Sequence, residues 1–88
     1  MSKNKILHLT LTYHWYDEIK SGRKKIDYRE KKPYWTKRID GKKFNQVILQ
    51  RGYSGVRMCK KWVKTETLES GINTDLKIEK SVYAIYFE

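Results

Sequence analysis

Residues 21–30 read SGRKKIDYRE, a glycine turn followed by an extended run in which basic side chains surround Asp27. Gly22 permits a sharp turn from helix to strand because it has no Cβ atom. Side chains then alternate between the two faces of a strand, so Asp27 and Arg29 share a face. A carboxylate inside a basic patch weakens the attraction for a polyanion. The segment is therefore predicted to orient a ligand as well as to attract it.

The residues that precede this stretch predict a strand and a short helix. Residues 5–12, KILHLTLT, alternate apolar and polar side chains, as a strand with one buried face does. Residues 12–22, TYHWYDEIKSG, predict a helix in which Thr12 is the N-cap and Gly22 ends the last turn in a left-handed conformation.

The residues that follow it predict a second helix and three more strands. KKPYWTKRI has Pro33 near its start and is typical of a helical turn or short helix. The further strands are predicted in FNQVILQR, in VRMCKKWVKTETL and in LKIEKSVYAIYFE, the last as one strand or a pair. Because αβ units do not repeat, we predict one α+β domain over residues 1–88, a small β-barrel of five to six mostly antiparallel strands with one or two short helices.

The charge of the chain is large and unevenly distributed. Twenty Lys and Arg against ten Asp and Glu leave a formal net charge of +10. Residues 20–43 hold eleven of the basic residues and three acidic ones, whereas residues 65–88 hold two lysines and five acidic residues. A one-sided positive field predicts a polyanionic partner, of which nucleic acid is the preferred one.

The sparse cysteine and histidine residues predict an intracellular protein without a metal. Cys59 is the one cysteine, so an intramolecular disulfide is excluded, and residues 1–12 lack the apolar run of a secretion signal or membrane span. We therefore expect a cytoplasmic location and no membrane association. His8, His14 and Cys59 lack metal-ligand spacing, so neither a metal nor another cofactor is expected.

The run GRKKIDYR, residues 22–29, resembles the GxKxxExR signature of ASCH domains, small β-barrel proteins of the PUA-like superfamily. Gly22, Lys24 and Arg29 match the signature, and Asp27 stands in place of its glutamate. The aromatic PYW segment and the strand ending in QRGYSG are similar to small ASCH proteins of phage type. The resemblance implies a PUA-like barrel with a cleft at its rim, centred on Lys24, Asp27 and Arg29.

Further cations and aromatic rings near this signature complete the expected site. Stacking of a base on an aromatic ring contributes about 1 to 3 kcal/mol. Tyr34, Trp35 and Tyr53 are the candidates for such stacking. For Trp35, packing and stacking both remain open. The nucleic-acid-binding residues are predicted to be Lys24, Lys25, Asp27, Arg29, Lys31, Lys32, Tyr34, Trp35, Arg51 and Tyr53. The simpler alternative is a solvated edge strand whose ion pairs each contribute less than about 1 kcal/mol.

The resemblance implies binding of RNA or of a modified nucleotide, and it leaves two alternatives open. Some ASCH relatives are hydrolases, so a metal-independent amidohydrolase for acetylated cytidine or a ribonuclease would use Lys24 and Asp27 as catalytic residues. In the ASCH deacetylases a lysine, a threonine and a glutamate form the catalytic set. Lys24 matches the lysine, but Asp27 occupies the place of the threonine and the glutamate has no counterpart in this chain. Thr65, Glu66 or Thr67 would have to replace them, so we favour binding over catalysis. The other alternative is a phage-encoded inhibitor that binds a protein; the oligomeric state stays open.

Overall fold

The computed structural model describes residues 5–88, which form five strands and two helices. The strands are β1 (Ile6–Leu11), β2 (Ile26–Glu30), β3 (Gln46–Arg51), β4 (Arg57–Leu68) and β5 (Val82–Phe87), and the helices are α1 (Tyr13–Lys20) and α2 (Pro33–Ile39). Hydrogen bonds join the strands in the order β1-β3-β4-β5-β2. Strands β1 and β3 are parallel, whereas β3–β4 and β2–β5 are antiparallel. The predicted fold class, α+β with a small, mostly antiparallel sheet and two short helices, is confirmed.

The chain divides into two compact units. The first unit contains the described part of Met1–Lys25 together with Phe44–Trp62 and Phe87–Glu88, and the second contains Ile26–Lys43 and Val63–Tyr86. Within residues 5–88, neither helix has the length and apolar character that crossing a bilayer requires.

The core of the first unit follows from the alternation in β1. Leu7, Leu9 and Leu11 are buried, while the residues between them are exposed. The parallel register places Leu7 beside Val47 and Leu9 beside Leu49 of β3, and both β3 residues are fully buried. One apolar row from each strand therefore builds this core, as the period-two pattern predicts.

Helix α1 begins and ends as its sequence predicts. The Thr12 hydroxyl accepts a hydrogen bond from the backbone N–H of Trp15 at 3.4 Å, which caps the helix. Tyr16 and Ile19, one turn apart, are the buried residues of the helix. Gly22 has a φ of +87°, the left-handed conformation that lets the chain turn towards β2.

Helix α2 is joined to β5 within the second unit. Pro33 occupies the first turn, where a backbone N–H has no acceptor within the helix, so proline costs no hydrogen bond there. Ile39, at the other end of the helix, is buried. The phenol of Tyr83, a buried residue of β5, donates to the Thr36 hydroxyl at 2.9 Å. This bond satisfies the polar end of a side chain that is only 1% exposed.

The segment before β5 is a series of turns, so the predicted last element is one strand and not a pair. Gly71 and Ile78 form an isolated antiparallel bridge. The buried Thr74 hydroxyl donates to the Gly71 carbonyl at 2.6 Å and accepts from the Leu76 N–H at 3.2 Å. These local bonds occupy backbone groups that a further strand would need.

Candidate nucleic-acid interface

The centre of the candidate site in the second unit is an ion pair on β2. Arg29 Nε lies 2.6 Å from Asp27 Oδ2, and the two side chains are 18% and 6% exposed. Asp27 is paired in register with Ile85, which is fully buried. A buried carboxylate needs a compensating charge, and Arg29 supplies one. The alternative of a solvated strand is therefore wrong at Asp27, whose carboxylate holds the Arg29 guanidinium in one orientation.

Next to this pair, two adjacent aromatic rings lie between two arginines. Arg29 Cζ lies 4.9 Å from the ring centroid of Trp35, and the rings of Trp35 and Tyr34 meet edge to face at 4.9 Å. Arg38 Cζ lies 3.7 Å from the Tyr34 ring centroid, and its Nη1 donates to the Tyr34 carbonyl at 3.1 Å. We call Arg29, Trp35, Tyr34 and Arg38 the Arg–aromatic ladder. Tyr34 is 56% exposed, so the ladder presents ring surface beside positive charge.

The lysines next to β2 differ in how far they are neutralised. Lys32 Nζ lies 2.9 Å from Glu30, and Lys80 Nζ lies 3.8 Å from the same carboxylate. The hydrogen bond from Lys32 is the main reason that the pKa of Glu30 is lowered. Lys31 is exposed, and its backbone N–H donates to the Ser81 carbonyl at 2.9 Å. Lys31 therefore adds positive charge at the surface, whereas Lys32 shares its charge with an acid.

A cavity in the first unit is lined by Gly22 and Lys24, the first two residues that match the signature. Its volume is about 190 Å³, room for several water-sized groups. The lining residues are Ile19, Gly22, Lys24, Lys25, Lys60, Phe87 and Glu88. Three of them are lysines, while Ile19 and Phe87 are buried and apolar. A cavity lined by apolar side chains, three lysines and one glutamate is suited to a small polar or planar group.

The ammonium group of Lys24 is positioned by helix α1. Lys24 Nζ lies 4.7 Å from the ring centroid of Trp15, whose ring is in turn 4.6 Å from that of His14. The backbone N–H of Lys24 donates to the Glu18 carbonyl at 3.3 Å. Lys24 is thus attached to the helix through both its backbone and its side chain.

Arg51, at the end of β3, is held by two residues of α1. Its Nε and Nη2 donate to the two carboxylate oxygens of Asp17 at 3.1 and 3.2 Å, and its Cζ lies 4.1 Å from the Tyr13 ring centroid. The hydrogen bond lowers the pKa of Asp17 and raises that of Arg51. Tyr13 and Asp17 are four residues apart, so they lie on one side of the helix.

The loop after Arg51 carries the most exposed aromatic residue of the predicted site. Tyr53 is 99% exposed, and Gly52 before it has a φ of +57°. A Cβ atom on Gly52 would lie 2.5 Å from Cε1 of Tyr13. The Arg51 N–H donates to the Val56 carbonyl at 2.9 Å, which closes the loop. Tyr53 therefore projects from a turn that is closed by backbone hydrogen bonds.

The structure brings the predicted site residues together in three groups. One group lies in the second unit, and two lie in the first. The group in the second unit contains Asp27, Arg29, Tyr34 and Trp35, with Lys31 and Lys32 on the same segment. In the first unit, Lys24 and Lys25 line the cavity, and Arg51 and Tyr53 lie at the loop. Convergence of Lys24 with the Asp27–Arg29 pair joins residues of different units and stays a prediction.

Four residues join these groups that were not assigned to the site from sequence. Arg38 completes the ladder, Tyr13 and Asp17 hold Arg51, and Lys60 lines the cavity. The four-residue spacing of Tyr34 and Arg38 is a signal that could have indicated one of these contacts. Tyr13 and Asp17 contact Arg51, which is more than thirty positions away along the chain, so no local spacing indicates those contacts. Lys60 carries no such signal, because strand pairing brings it to its place.

The described residues show no metal-ligand set, and the comparisons with known proteins found no relative. Among residues 5–88, no three His, Cys, Asp or Glu side chains are grouped so that they could hold a metal ion. No family model matches the chain, and no curated protein or solved structure gives a significant match.

Proposed function

We propose that this protein is a nucleic-acid-binding module that prefers RNA or a modified nucleotide. The Arg–aromatic ladder is the observation that carries the proposal. A guanidinium stacked on a ring keeps its N–H groups for phosphate oxygens, and an exposed ring offers a face to a base. Arg38 and Tyr34 combine both features at 3.7 Å. The buried Asp27–Arg29 pair fixes the other end of the ladder.

Contacts between cations and aromatic rings recur in this chain. At least five occur among residues 5–88: Lys24–Trp15, Arg29–Trp35, Arg38–Tyr34, Arg51–Tyr13 and Lys64–Tyr86. Such pairs place positive charge and ring surface side by side, the combination by which proteins hold single-stranded nucleic acid.

The charge supports the same proposal. The first unit holds ten basic and three acidic residues, a net charge of +7, and the second holds ten basic and seven acidic residues, a net charge of +3. Both units are positive, so each can neutralise phosphates and release counterions. The resemblance of residues 22–29 to the ASCH signature supports RNA as the preferred nucleic acid.

The state of Asp27 favours binding over hydrolysis. One of its carboxylate oxygens is engaged by Arg29, and its side chain is 6% exposed. A general base must reach the proton that it removes, and little of this carboxylate is accessible to a substrate. Asp27 is better suited to orienting Arg29 than to activating water.

Fluorescence anisotropy with a labelled short RNA tests the proposal. If four to six phosphates are neutralised, the logarithm of the association constant should fall against the logarithm of salt concentration with a slope of about −3 to −5. Failure to bind RNA, or binding that does not change with salt, would contradict the proposed function.

A pair of variants on α2 separates the ladder from general charge. Arg38→Ala and Lys37→Ala each remove one positive charge from neighbouring exposed positions. Of these two residues, Arg38 is the one that stacks on Tyr34. We expect Arg38→Ala to weaken RNA binding by about 5- to 20-fold and Lys37→Ala by less than about 3-fold. Equal losses would mean that charge alone, and not the ladder, holds the RNA.

A further inference from the structure

The guanidinium of Arg51 is contacted on one edge and on one face. Asp17 accepts hydrogen bonds from Nε and Nη2, and the Tyr13 ring lies 4.1 Å from Cζ. A planar guanidinium fixed in this way loses little further conformational entropy when it binds a ligand. The side chain remains 32% exposed, so the fixed group is accessible.

One edge of this guanidinium is left for a ligand. Nε and Nη2 donate to Asp17, and among residues 5–88 no acceptor lies within hydrogen-bond distance and geometry of Nη1 of Arg51. The N–H groups of a guanidinium match the oxygens of a phosphate group. Arg51 therefore has both the charge and an available edge for one phosphate.

Tyr53 lies two residues further along a loop that its own hydrogen bonds order. The Ser54 hydroxyl donates to the Arg51 carbonyl at 2.5 Å and accepts from the Val56 N–H at 3.2 Å. The Gln50 side chain donates to the Ser54 carbonyl at 3.0 Å. These bonds fix the backbone on both sides of Tyr53, although its ring is 99% exposed. An ordered backbone lowers the conformational entropy that a stacking ligand must overcome.

We propose that Tyr13, Asp17, Arg51, Gly52 and Tyr53 form a subsite for one unpaired nucleotide of single-stranded RNA. Tyr53 stacks on the base, and Nη1 of Arg51 binds a neighbouring phosphate. Asp17 and Tyr13 act as positioning residues for Arg51. The inference rests on the proposed function and deepens it, because it specifies single-stranded RNA as the ligand class.

The exposure of Tyr53 is the reason for choosing a single strand. Inside a duplex, each base is stacked on its neighbours and is paired along its Watson–Crick edge, so its faces are not available to a protein ring. A single strand can turn a base out and stack it on an aromatic side chain. A fully exposed ring is thus suited to an unpaired base.

The first test compares Tyr53→Ala with Tyr53→Phe on an unstructured RNA and on the same RNA annealed to its complement. Tyr53→Ala should weaken binding of the single strand by about 5- to 150-fold, the factor that corresponds to 1 to 3 kcal/mol per stacked base. Tyr53→Phe retains a stacking ring and should remain within about twofold of the wild type. Duplex binding should change by less than about twofold in both variants.

The outcomes distinguish a failure of the subsite from a failure of the proposed function. If the wild type binds RNA and Tyr53→Ala binds the single strand equally well, the subsite is wrong and the proposed function stands. Equal losses for single strand and duplex also contradict the subsite. If the wild type binds neither the single strand nor the duplex, both the proposed function and the subsite are contradicted. A wild-type circular dichroism spectrum for Tyr53→Ala verifies that the variant is folded.

The second test asks whether Asp17→Ala weakens or strengthens RNA binding. Asp17→Ala and Glu18→Ala each remove one negative charge from neighbouring positions of α1, so electrostatics alone predicts tighter RNA binding for both. If Asp17 positions Arg51, its loss should instead weaken binding of the single strand by about 3- to 10-fold. Glu18 pairs with Arg23, so Glu18→Ala should tighten binding or leave it unchanged. Tighter binding by Asp17→Ala, to the same degree as by Glu18→Ala, would contradict the positioning role.

Discussion

Asp27 Oδ2 and Arg29 Nε lie 2.6 Å apart on β2, with the aspartate paired in register with the fully buried Ile85. The charged pair is therefore part of the packed sheet of the second unit and not of its solvated surface. Arg29 extends from this pair to the face of Trp35. One buried carboxylate thus determines where the ladder begins.

Asp27→Asn should destabilise the protein because it removes the charge of a largely buried carboxylate that pairs with Arg29. We expect the free energy of unfolding to fall by about 2 to 4 kcal/mol, as measured by urea denaturation. Glu30→Gln is the matched control, since Glu30 pairs with the exposed Lys32 and should cost less than about 1 kcal/mol. Equal effects of the two substitutions would show that the Asp27–Arg29 pair is no stronger than a surface pair.

Tyr34→Ala should separate binding from stability. Tyr34 is 56% exposed, so its removal should change the free energy of unfolding by less than about 1 kcal/mol. Its ring supports Arg38 and borders Trp35, so RNA affinity should fall by about 5-fold or more. Tyr34→Phe should restore affinity. A variant that unfolds readily but binds RNA normally would contradict the role of the ladder.

Gly52→Ala should destabilise the loop through two effects. Alanine is strained at a φ of +57°, and its Cβ would lie 2.5 Å from Cε1 of Tyr13. We expect a loss of about 1 to 3 kcal/mol in the free energy of unfolding. In the background Tyr13→Ala the steric part disappears, so the loss caused by Gly52→Ala should be smaller. Strictly additive effects in this double-mutant cycle would contradict the contact.

Arg51→Ala should shift the titration of Asp17. The hydrogen bond from Arg51 holds the pKa of Asp17 below its ordinary value of 3.8. An acid whose pKa is lowered in the folded state adds stability above its unfolded pKa, and that stability is lost as the pH falls through the folded value. NMR titration of Arg51→Ala should therefore show the Asp17 pKa rising towards 3.8.

Glu18 is the internal control for this titration. Its pKa is lowered chiefly by the hydrogen bond from Arg23, which Arg51→Ala leaves in place. The Glu18 pKa should accordingly stay low in the same spectra. A shift of both carboxyl groups would indicate a general change of the helix rather than loss of one hydrogen bond.

The hydrolase alternative makes a different prediction for Lys24. If the protein only binds, purified wild type should not hydrolyse acetylated cytidine or labelled RNA above a blank, and Lys24→Ala should lower RNA affinity. Turnover by the wild type that disappears in Lys24→Ala would instead establish catalysis. Product analysis of the two substrates would then distinguish amidohydrolase from ribonuclease activity.

Local patterns predicted the elements well, because each one is encoded by neighbouring residues. The alternating leucines of β1, Thr12 as the cap of α1 and Pro33 at the start of α2 all act within a few residues of themselves. The ion pair between Asp27 and Arg29 also follows from a two-residue spacing on a strand. The burial of Asp27 does not follow from that spacing, since it depends on pairing with β5.

The sequence by itself determined the positive charge, the α+β class and the segments that carry candidate binding residues. These properties depend on composition, on period and on short-range spacing. Only the tertiary structure decided that Arg51 is held by Tyr13 and Asp17, and that Lys60 shares a cavity with Lys24. Such contacts join residues that are more than thirty positions apart along the chain. Strand pairing and packing bring these residues together, and no short-range sequence pattern predicts these contacts.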